Sequence, residues 1–273
     1  MYQVPVFLIT LARAKERRQR MLAHLQAVDV KVRVIDAVDG RTLTDQEKKP
    51  LLAAGISMHD GAIGCYLSHL KVYQHMVDEQ IPVALVLEDD ARISPKLRSI
   101  LGRPIDGESF DYCFLDSDDH NDRGSVFFDK DDSVGIASGV LAYRLSAGPQ
   151  TTHAYLISLS GASKRLSAAF PIQKAIDLYD HLPYPIKFRA VVKPKLAWVG
   201  QDSLESFTSE RKVDVNAMRF AWARRSPLFY RLRDFLKLQP IKRALEVRRQ
   251  TRAGALAADR RWAPLPAGRE VIL

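Results

Sequence analysis

The sequence predicts an α/β fold in which helices flank a mostly parallel central sheet, followed by a basic helical tail. Apolar strand-like segments at 4–10 and 32–35 enclose a segment at 14–28 that has helical spacing. A strand, a helix and a strand of these lengths form a βαβ unit, whose strands run parallel. A third apolar run, Val83 to Leu87, is short and rich in β-branched residues, which favours a buried central strand.

Three carboxylates follow this central strand directly: Glu88, Asp89 and Asp90. In an open α/β sheet the carboxyl ends of the strands face the ligand crevice, so these residues bring negative charge to a predicted binding site. Carboxylate oxygens suit Mg²⁺ or Mn²⁺, and such an ion most often holds a phosphate. An acidic, solvated turn is the competing interpretation.

Basic side chains follow the first strand. Arg13 lies in the predicted strand-to-helix turn and Arg17 lies on the exposed side of the helix, where they can meet a diphosphate. A solvated helix face gives the same pattern. Asp39, which precedes Gly40 after the second strand, is interpreted either as a turn former or as a ligand contact.

The strongest predicted helix runs from Gly61 to Val77, with Asp60 as its cap. Ser68 and His69 are neighbours rather than one turn apart, so they do not form a nucleophile and base pair. A satisfied structural histidine is the default interpretation of His69.

The remaining elements of the body follow in order. The first are a helix capped by Thr44, a short helix from Pro95, and a strand from Phe110 to Leu115 that is followed by Asp116 and Asp118. A connection over 121–150 then contains a strand from Gly139 to Arg144. The last are a strand from Thr152 to Ser158, a helix from Gly161, a helical piece from Ala175 to Leu182 that contains Asp177, and a strand from Lys187 to Lys193. The spacing of Asp116 and Asp118 makes them rival metal ligands.

The charge distribution predicts a boundary near residue 210. Residues 211–273 contain sixteen basic and five acidic side chains, a net charge of +11, whereas residues 1–210 have a net charge of −2. The tail has helical apolar stripes and tryptophans, typical of helices at an anionic membrane surface. A terminal helix packed on the body is the alternative, and we expect the last residues, Ala263 to Leu273, to be frayed.

The two cysteines, Cys65 and Cys113, are too few for a disulfide framework, which indicates a reducing compartment. A predicted strand begins almost at Met1, so we expect no signal peptide and a cytoplasmic location.

Five segments in order resemble glycosyltransferase family 25, which includes bacterial lipopolysaccharide galactosyl- and glucosyltransferases. The segments are FLITLAR at 7–13 with Arg17, VIDAVDG at 34–40, GAIGCYLSH at 61–69, VLEDD at 86–90, and AYLIS at 154–158 with Gly161. The family usually has Asn where Thr10 stands and Glu where Ala62 stands, so the contacts of those two side chains do not carry over.

The resemblance implies a GT-A type nucleotide-sugar fold over residues 1–210 and a transfer with inversion at the anomeric carbon. A metal held by carboxylates would stabilise the diphosphate leaving group, with Asp90 as the first choice of ligand and Asp89 beside it. We expect the donor to be bound by Thr10, Arg13, Arg17, Asp39, Ser68, His69, Glu88 and Asp89. Inversion needs a base on the opposite face, for which we choose Asp177, with Asp116, Asp118 and His69 as alternatives.

The leading hypothesis is an Mn²⁺- or Mg²⁺-dependent hexosyltransferase that uses UDP-galactose or UDP-glucose and a lipid-linked saccharide of lipopolysaccharide or another surface glycan. The tail would rest on the inner membrane, which makes the protein cytoplasmic and peripheral. Two alternatives remain: a family member that binds nucleotide sugars without turnover, and a protein that binds nucleic acid through its basic tail.

Overall fold

The computed structural model describes residues 4–115, 120–121, 124–199 and 254–265. Its strands are β1 (Val6–Thr10), β2 (Arg33–Asp36), β3 (Val83–Glu88), β4 (Ala91–Ile93), β5 (Tyr112–Phe114), β6 (His120–Asn121), β7 (Gly124–Ser125), β8 (Phe127–Ala137), β9 (Val140–Leu145), β10 (Ala154–Ser158), β11 (Phe188–Val191), β12 (Ala197–Val199) and β13 (Trp262–Pro264). Its α-helices include α1 (Lys15–Ala27), α2 (Asp45–Lys48), α3 (Asp60–Asp78), α4 (Arg98–Leu101) and α5 (Leu159–Ser167).

The architecture is α/β, with a nine-stranded sheet in the order β13-β8-β9-β11-β5-β10-β3-β1-β2. The predicted α/β fold of GT-A type is confirmed, but the sheet is mixed rather than mostly parallel. Strand β1 is parallel to both β2 and β3, and β5 is parallel to β11. Strand β10 lies between β3 and β5 and runs antiparallel to both. The chain reaches β10 after the β8–β9 hairpin, which belongs to the other side of the same sheet. Residues 124–150 of the predicted connection therefore belong largely to the sheet.

The parallel register places the first three strands so that they end at one edge. Ile9 of β1 pairs with Glu88 of β3, and Thr10 pairs with Asp36 of β2. The carboxyl ends of these strands therefore converge, as the sequence predicts, and this edge carries the candidate site.

Both faces of the sheet are covered by apolar side chains. On one face Met21 and Leu25 of α1 pack with Leu85, and on the other Tyr73 and Met76 of α3 pack with Val86. Strands β1 and β3 are therefore buried on both sides, which explains why they appear in the sequence as continuous apolar runs. Each fully buried aliphatic side chain contributes about 1.5–3 kcal/mol to folding.

The helix starts agree only in part with the prediction. Thr44 and Glu47 form the predicted capping box of α2. The cap of α3 is His59 rather than Asp60, because the His59 Nδ1 atom accepts a hydrogen bond from the Ala62 N–H at 3.1 Å. Asp60 is instead the first helical residue, where it pairs with Lys48 at 2.6 Å.

The helix predicted from Ala175 to Leu182 is wrong, because this segment is a series of turns. The buried guanidinium of Arg165 donates to the backbone carbonyl oxygens of Ile176, at 2.7 Å, and Leu178, at 3.4 Å. These carbonyls bind a side chain from α5, and a regular helix would need them for its own N–H groups.

Residues 262–264 join the sheet. Strand β13 pairs antiparallel with β8, and Leu265 after it is buried. The predicted fraying is therefore wrong for residues 263–265. The predictions for 211–253, and the rival ligands Asp116 and Asp118, lie outside the described residues. No helix in the described part of the chain combines the length and the apolar run that a membrane crossing needs.

A buried carboxylate holds β13 in place. Asp129 of β8 has no exposed side-chain surface and pairs with both Arg144 and Arg261. The hydrogen bond from Arg261, opposed by burial and reinforced by Arg144, holds the pKa of Asp129 well below its usual range. Trp262 stacks on the Arg144 guanidinium, with 5.2 Å between them.

Replacing Asp129 by Asn is expected to loosen this edge. The loss of charge-assisted hydrogen bonds weakens the β13 attachment by about 1.5–3 kcal/mol, which accelerates amide hydrogen exchange at 262–265 by tenfold or more.

Because a depressed folded-state pKa gives stability that is present above the unfolded pKa, the wild type should loosen only as the pH falls below about 4. Exchange mass spectrometry checks both, with the exposed neighbour Asp131→Asn as control. Unchanged exchange in Asp129→Asn would contradict the assignment.

Candidate active site

A cleft opens at the carboxyl edge of β1, β2 and β3. Its walls are the ends of these strands, the loop after β2 and the first turns of α3. The structure brings together in its lining every residue predicted to bind the donor or the metal, namely Thr10, Arg13, Arg17, Asp39, Ser68, His69, Glu88, Asp89 and Asp90. Asp177 is not among the lining residues.

Asp89 is engaged by the first strand and helix. Its Oδ2 atom accepts a hydrogen bond from the Thr10 hydroxyl at 2.6 Å, and its Oδ1 atom pairs with Arg17. Burial raises the pKa of Asp89, while Thr10 and Arg17 counteract this and the neighbouring carboxylates add to it. Both oxygens have protein partners, so Asp89 fixes Arg17 in the cleft.

Glu88 and Asp90 form a potential cation site with His153, which the sequence reasoning missed. One ligand atom from each residue lies within 4.8 Å of the others, and His153 Nδ1 is 3.0 Å from Asp90 Oδ1. His153 immediately precedes β10, and its carbonyl accepts the Glu88 N–H at 2.9 Å. Only the antiparallel pairing of β10 with β3 brings it here, and no local sequence signal reports that pairing.

His69 connects Glu88 to a buried group of tyrosines. The ring of His69 is fully buried, with Nδ1 2.6 Å from the Tyr155 hydroxyl and Nε2 3.4 Å from Glu88 Oε1. The Tyr155 hydroxyl is 2.8 Å from that of Tyr73, which accepts from Tyr112 at 3.2 Å. These contacts form a continuous hydrogen-bond chain from Tyr112 to Glu88.

This hydrogen-bond chain keeps Glu88 ionised. Burial raises the pKa of Glu88, but the hydrogen bond from His69 and the charge of His153 outweigh it and hold the pKa below its usual range. His69 is thus a satisfied histidine, as expected by default, whose partner is a residue of the cleft. Burial keeps the pKa values of Tyr73 and Tyr155 well above normal, so both remain protonated donors.

Removing the Tyr155 hydroxyl is expected to cost stability. In Tyr155→Phe the buried polar atoms of His69 and Tyr73 lose a shared partner, which lowers the free energy of unfolding by about 1–3 kcal/mol. Urea denaturation measures the change. Tyr143→Phe is the control, because Tyr143 is only half-buried, on β9, and packs edge-on against Phe128. Equal stability of the two variants would show that the chain contributes nothing.

Ser68 binds backbone rather than presenting a free hydroxyl. Its Oγ atom donates to the Gly64 carbonyl at 2.6 Å and accepts from the Val38 N–H at 2.8 Å. A side chain on Gly40 would meet the Asp60 carbonyl oxygen at 1.9 Å, so the loop after β2 lies directly on α3. Ser68 and the two glycines together place Asp39 at the cleft.

Arg13 and Asp39 form an ion pair at the mouth of the cleft, where Arg41 also approaches Asp39 at 3.3 Å. Asp39 accepts the Arg41 N–H and so caps a short 3₁₀ turn. It therefore serves as the predicted turn former and also lines the cleft. The side chain of Arg13 is 36% exposed, which leaves part of its positive charge facing solvent at the opening.

Asp177 lies in the turns after α5 and is half-buried. Burial raises the pKa of the Cys65 thiol, and the charges of Glu88, Asp177 and Asp90 raise it further. Asp177 therefore acts electrostatically on a residue that lines the cleft, although its own side chain stands outside the lining.

The fold and the cleft define a class of protein. A mixed α/β sheet has a strand that ends in carboxylates, and these meet an imidazole and several arginines at the cleft. This is the arrangement expected of a GT-A type nucleotide-sugar protein, in which anionic diphosphate and cation share one pocket.

The particular family follows from the sequence match. Residues 3–179 match the family model described as "Glycosyltransferase family 25 (LPS biosynthesis protein)", and the chain belongs to glycosyltransferase family 25. The predicted family resemblance is thereby confirmed.

Similar proteins carry names of two kinds. A rat protein named "Probable inactive glycosyltransferase 25 family member 3" is 31% identical over 193 residues, which cover 65% of this chain and 32% of that protein. Human "Procollagen galactosyltransferase 2" is 29% identical over 217 residues, which cover 75% of this chain and 34% of that protein. The chain spans about a third of the length of these curated relatives.

Proposed function

We propose that the chain is a metal-dependent inverting glycosyltransferase that moves a hexose from a UDP-sugar to a saccharide hydroxyl. The observation that carries this proposal is the cluster of Glu88, Asp90 and His153 at the end of β3, in one cleft with Arg13 and Arg17. Family membership supports glycosyl transfer as the class of reaction.

The donor set fits a divalent cation of intermediate hardness. Two carboxylates suit Mg²⁺ and Mn²⁺ equally, but the imidazole of His153 is a ligand for transition metals and favours Mn²⁺. When bound, such an ion supplies charge neutralisation for the leaving diphosphate. Glu88 and Asp90 are ready to bind it because His69 and His153 already orient their oxygens.

The arginines prepare the other side of the pocket. Arg17 is held by Asp89 and lies 3.6 Å from Asp90, so it offsets the repulsion among three adjacent carboxylates. Arg13 and Arg41 add positive charge at the mouth, which favours the approach of a diphosphate. The pocket thereby attracts both an anionic donor and its cation.

We keep Asp177 as the proposed base that accepts the proton of the attacking hydroxyl. Asp177 lies in the turns after α5, and its charge acts on Cys65, which lines the cleft. An inverting transfer needs its base on the face of the sugar opposite the diphosphate, and a residue outside the phosphate end of the cleft fits that requirement. His69 fits it less well, since both ring nitrogens have partners and no surface is exposed.

For the donor and acceptor we propose galactose or glucose and a lipid-linked saccharide of a surface glycan. The word "galactosyltransferase" in the name of a relative and "LPS biosynthesis" in the family description support these choices. We propose further that the basic tail, predicted over 211–273, binds an anionic membrane at the cytoplasmic face through its residues 211–253. Co-sedimentation with lipid vesicles tests this. The chain should sediment with anionic vesicles but not with neutral ones, and about 0.5 M salt should abolish the binding.

A second candidate is a family member that binds the donor without turnover. Four mammalian relatives in the same range of identity carry "inactive" in their names. Thr10 departs from the usual family residue, and in this chain its hydroxyl is used to hold Asp89.

A donor screen separates the two candidates. UDP release from UDP-galactose, UDP-glucose and UDP-N-acetylhexosamines is measured with Mn²⁺, with Mg²⁺ and with a chelator. Transferase function predicts release for one donor that depends on Mn²⁺ and increases with an oligosaccharide acceptor. UDP binding without release of sugar supports the second candidate, and absence of both overturns the proposal.

A further inference from the structure

Glu88 belongs to a second group of metal-binding side chains in the same cleft. Cys65, His69 and Glu88 each offer a ligand atom, and these atoms lie within 4.8 Å of one another. All three residues belong to the lining of the cleft, and Cys65 and Glu88 have exposed surface through which an ion can arrive. The proposed Mn²⁺ site combines Glu88 with Asp90 and His153, and it uses neither Cys65 nor His69.

The chemistry of this second set differs from that of the first. A thiolate, an imidazole and a carboxylate are the ligand types that bind Zn²⁺, in sites with three protein ligands and one open position. Mn²⁺ and Mg²⁺ prefer oxygen ligands and do not select a thiolate. We infer that Cys65, His69 and Glu88 form a site for Zn²⁺ that shares Glu88 with the proposed Mn²⁺ site.

Local structure prepares the three ligands. Cys65 and His69 are four residues apart on α3, so their side chains lie on one face of the helix. The Tyr155 hydroxyl holds His69 Nδ1 at 2.6 Å, which turns Nε2 toward Glu88 at 3.4 Å. Anchoring of the second ring nitrogen is the usual support for a metal-binding histidine.

Binding involves a simple exchange of a proton for the metal. The Cys65 S–H bond breaks, a Zn–S bond forms, and the proton passes to solvent. His69 adopts the tautomer that carries its proton on Nδ1 and donates it to the Tyr155 hydroxyl, so that the lone pair of Nε2 binds the ion. The carboxylates of Asp90 and Asp177, whose charges reach the thiol, attract the dication that takes the place of that proton. No oxidant or other co-reactant is needed.

Sharing of Glu88 has a consequence for the cleft. A Zn²⁺ ion that takes the Glu88 carboxylate removes a ligand from Asp90 and His153, so the two ions compete. The binding claim stands whether or not the chain transfers sugar. The expectation that Zn²⁺ inhibits transfer rests on the proposed function.

Cobalt substitution tests the site directly, because Co²⁺ occupies Zn²⁺ sites and a cobalt–thiolate bond absorbs in the near ultraviolet. Titration of the full chain with Co²⁺ is expected to produce this band, and Zn²⁺ should abolish it. Cys65→Ser should lose the band, whereas Cys113→Ala should keep it, because Cys113 is buried within β5. Absence of a band, or a band that survives Cys65→Ser, overturns the inference.

Thiol protection gives a second measurement that needs no variant. The chain has two cysteines, and only Cys65 has exposed surface, so alkylation of the folded protein reports on Cys65. Zn²⁺ should slow that alkylation at least tenfold, and Mg²⁺ at the same concentration should not, as ligand hardness requires. Equal alkylation rates with both ions would contradict the proposed site.

Discussion

Replacing Asp90 by Asn is expected to lower Mn²⁺-dependent UDP release by about 10³-fold. Asp90 is 4% exposed and lies within hydrogen-bond distance of His153. The amide keeps the shape of the carboxylate but removes its charge, so the cluster with Glu88 loses one of two anionic ligands. Several kcal/mol of stabilisation of the leaving diphosphate are then lost. Initial rates at saturating donor and Mn²⁺ measure the change.

A matched variant separates loss of the ligand from a general effect of charge. Asp78→Asn makes the same chemical change at an exposed position at the far end of α3, where Asp78 accepts a hydrogen bond from Gln74. Its rate should stay within about twofold of wild type, as for most exposed substitutions. If Asp90→Asn retains more than about a tenth of the rate while folding normally, Asp90 is not a ligand of the catalytic ion.

Gly64→Ala is expected to lower the free energy of unfolding by about 3 kcal/mol, although alanine favours helices over glycine by about 1 kcal/mol. An added Cβ atom at Gly64 would lie 2.4 Å from the Val38 carbonyl oxygen and 2.7 Å from the Gly40 N atom. Both are backbone atoms that cannot rotate away. The loop that carries Asp39 must therefore move off α3.

The displaced loop should also weaken UDP binding by about tenfold, because Arg13 loses its fixed partner at the mouth of the cleft. Chemical denaturation and isothermal titration with UDP and Mn²⁺ measure the two effects. Gly135→Ala is the control, since nothing lies within 4 Å of the added methyl group there. A Gly64→Ala variant as stable as the wild type would show that the loop tolerates displacement.

The central strand and its acidic end can be predicted from the sequence because they are local features. Val83–Glu88 is an uninterrupted apolar run that ends in carboxylates, and β1 shows a similar run. The convergence of Thr10, Asp39 and Asp90 follows from the parallel order of β1, β2 and β3. The resemblance to the family over segments 7–13, 34–40 and 86–90 also predicts that these residues share one site.

The partners of Glu88 could not be predicted in this way, because they come from the opposite direction of the chain. His153 and Tyr155 reach Glu88 and His69 through β10, whose antiparallel insertion beside β3 leaves no periodic signal. The irregular path at Asp177 depends on Arg165, whose burial is invisible in the sequence. Long-range pairing and buried cations thus account for these differences.

Diffraction from crystals grown with UDP and Mn²⁺, recorded at the manganese absorption edge, tests the central claim most directly. The account predicts one anomalous peak within coordination distance of Glu88, Asp90 and His153, with the diphosphate between that peak and Arg13. A manganese peak elsewhere, or a uridine diphosphate bound outside the cleft at the end of β3, would contradict it.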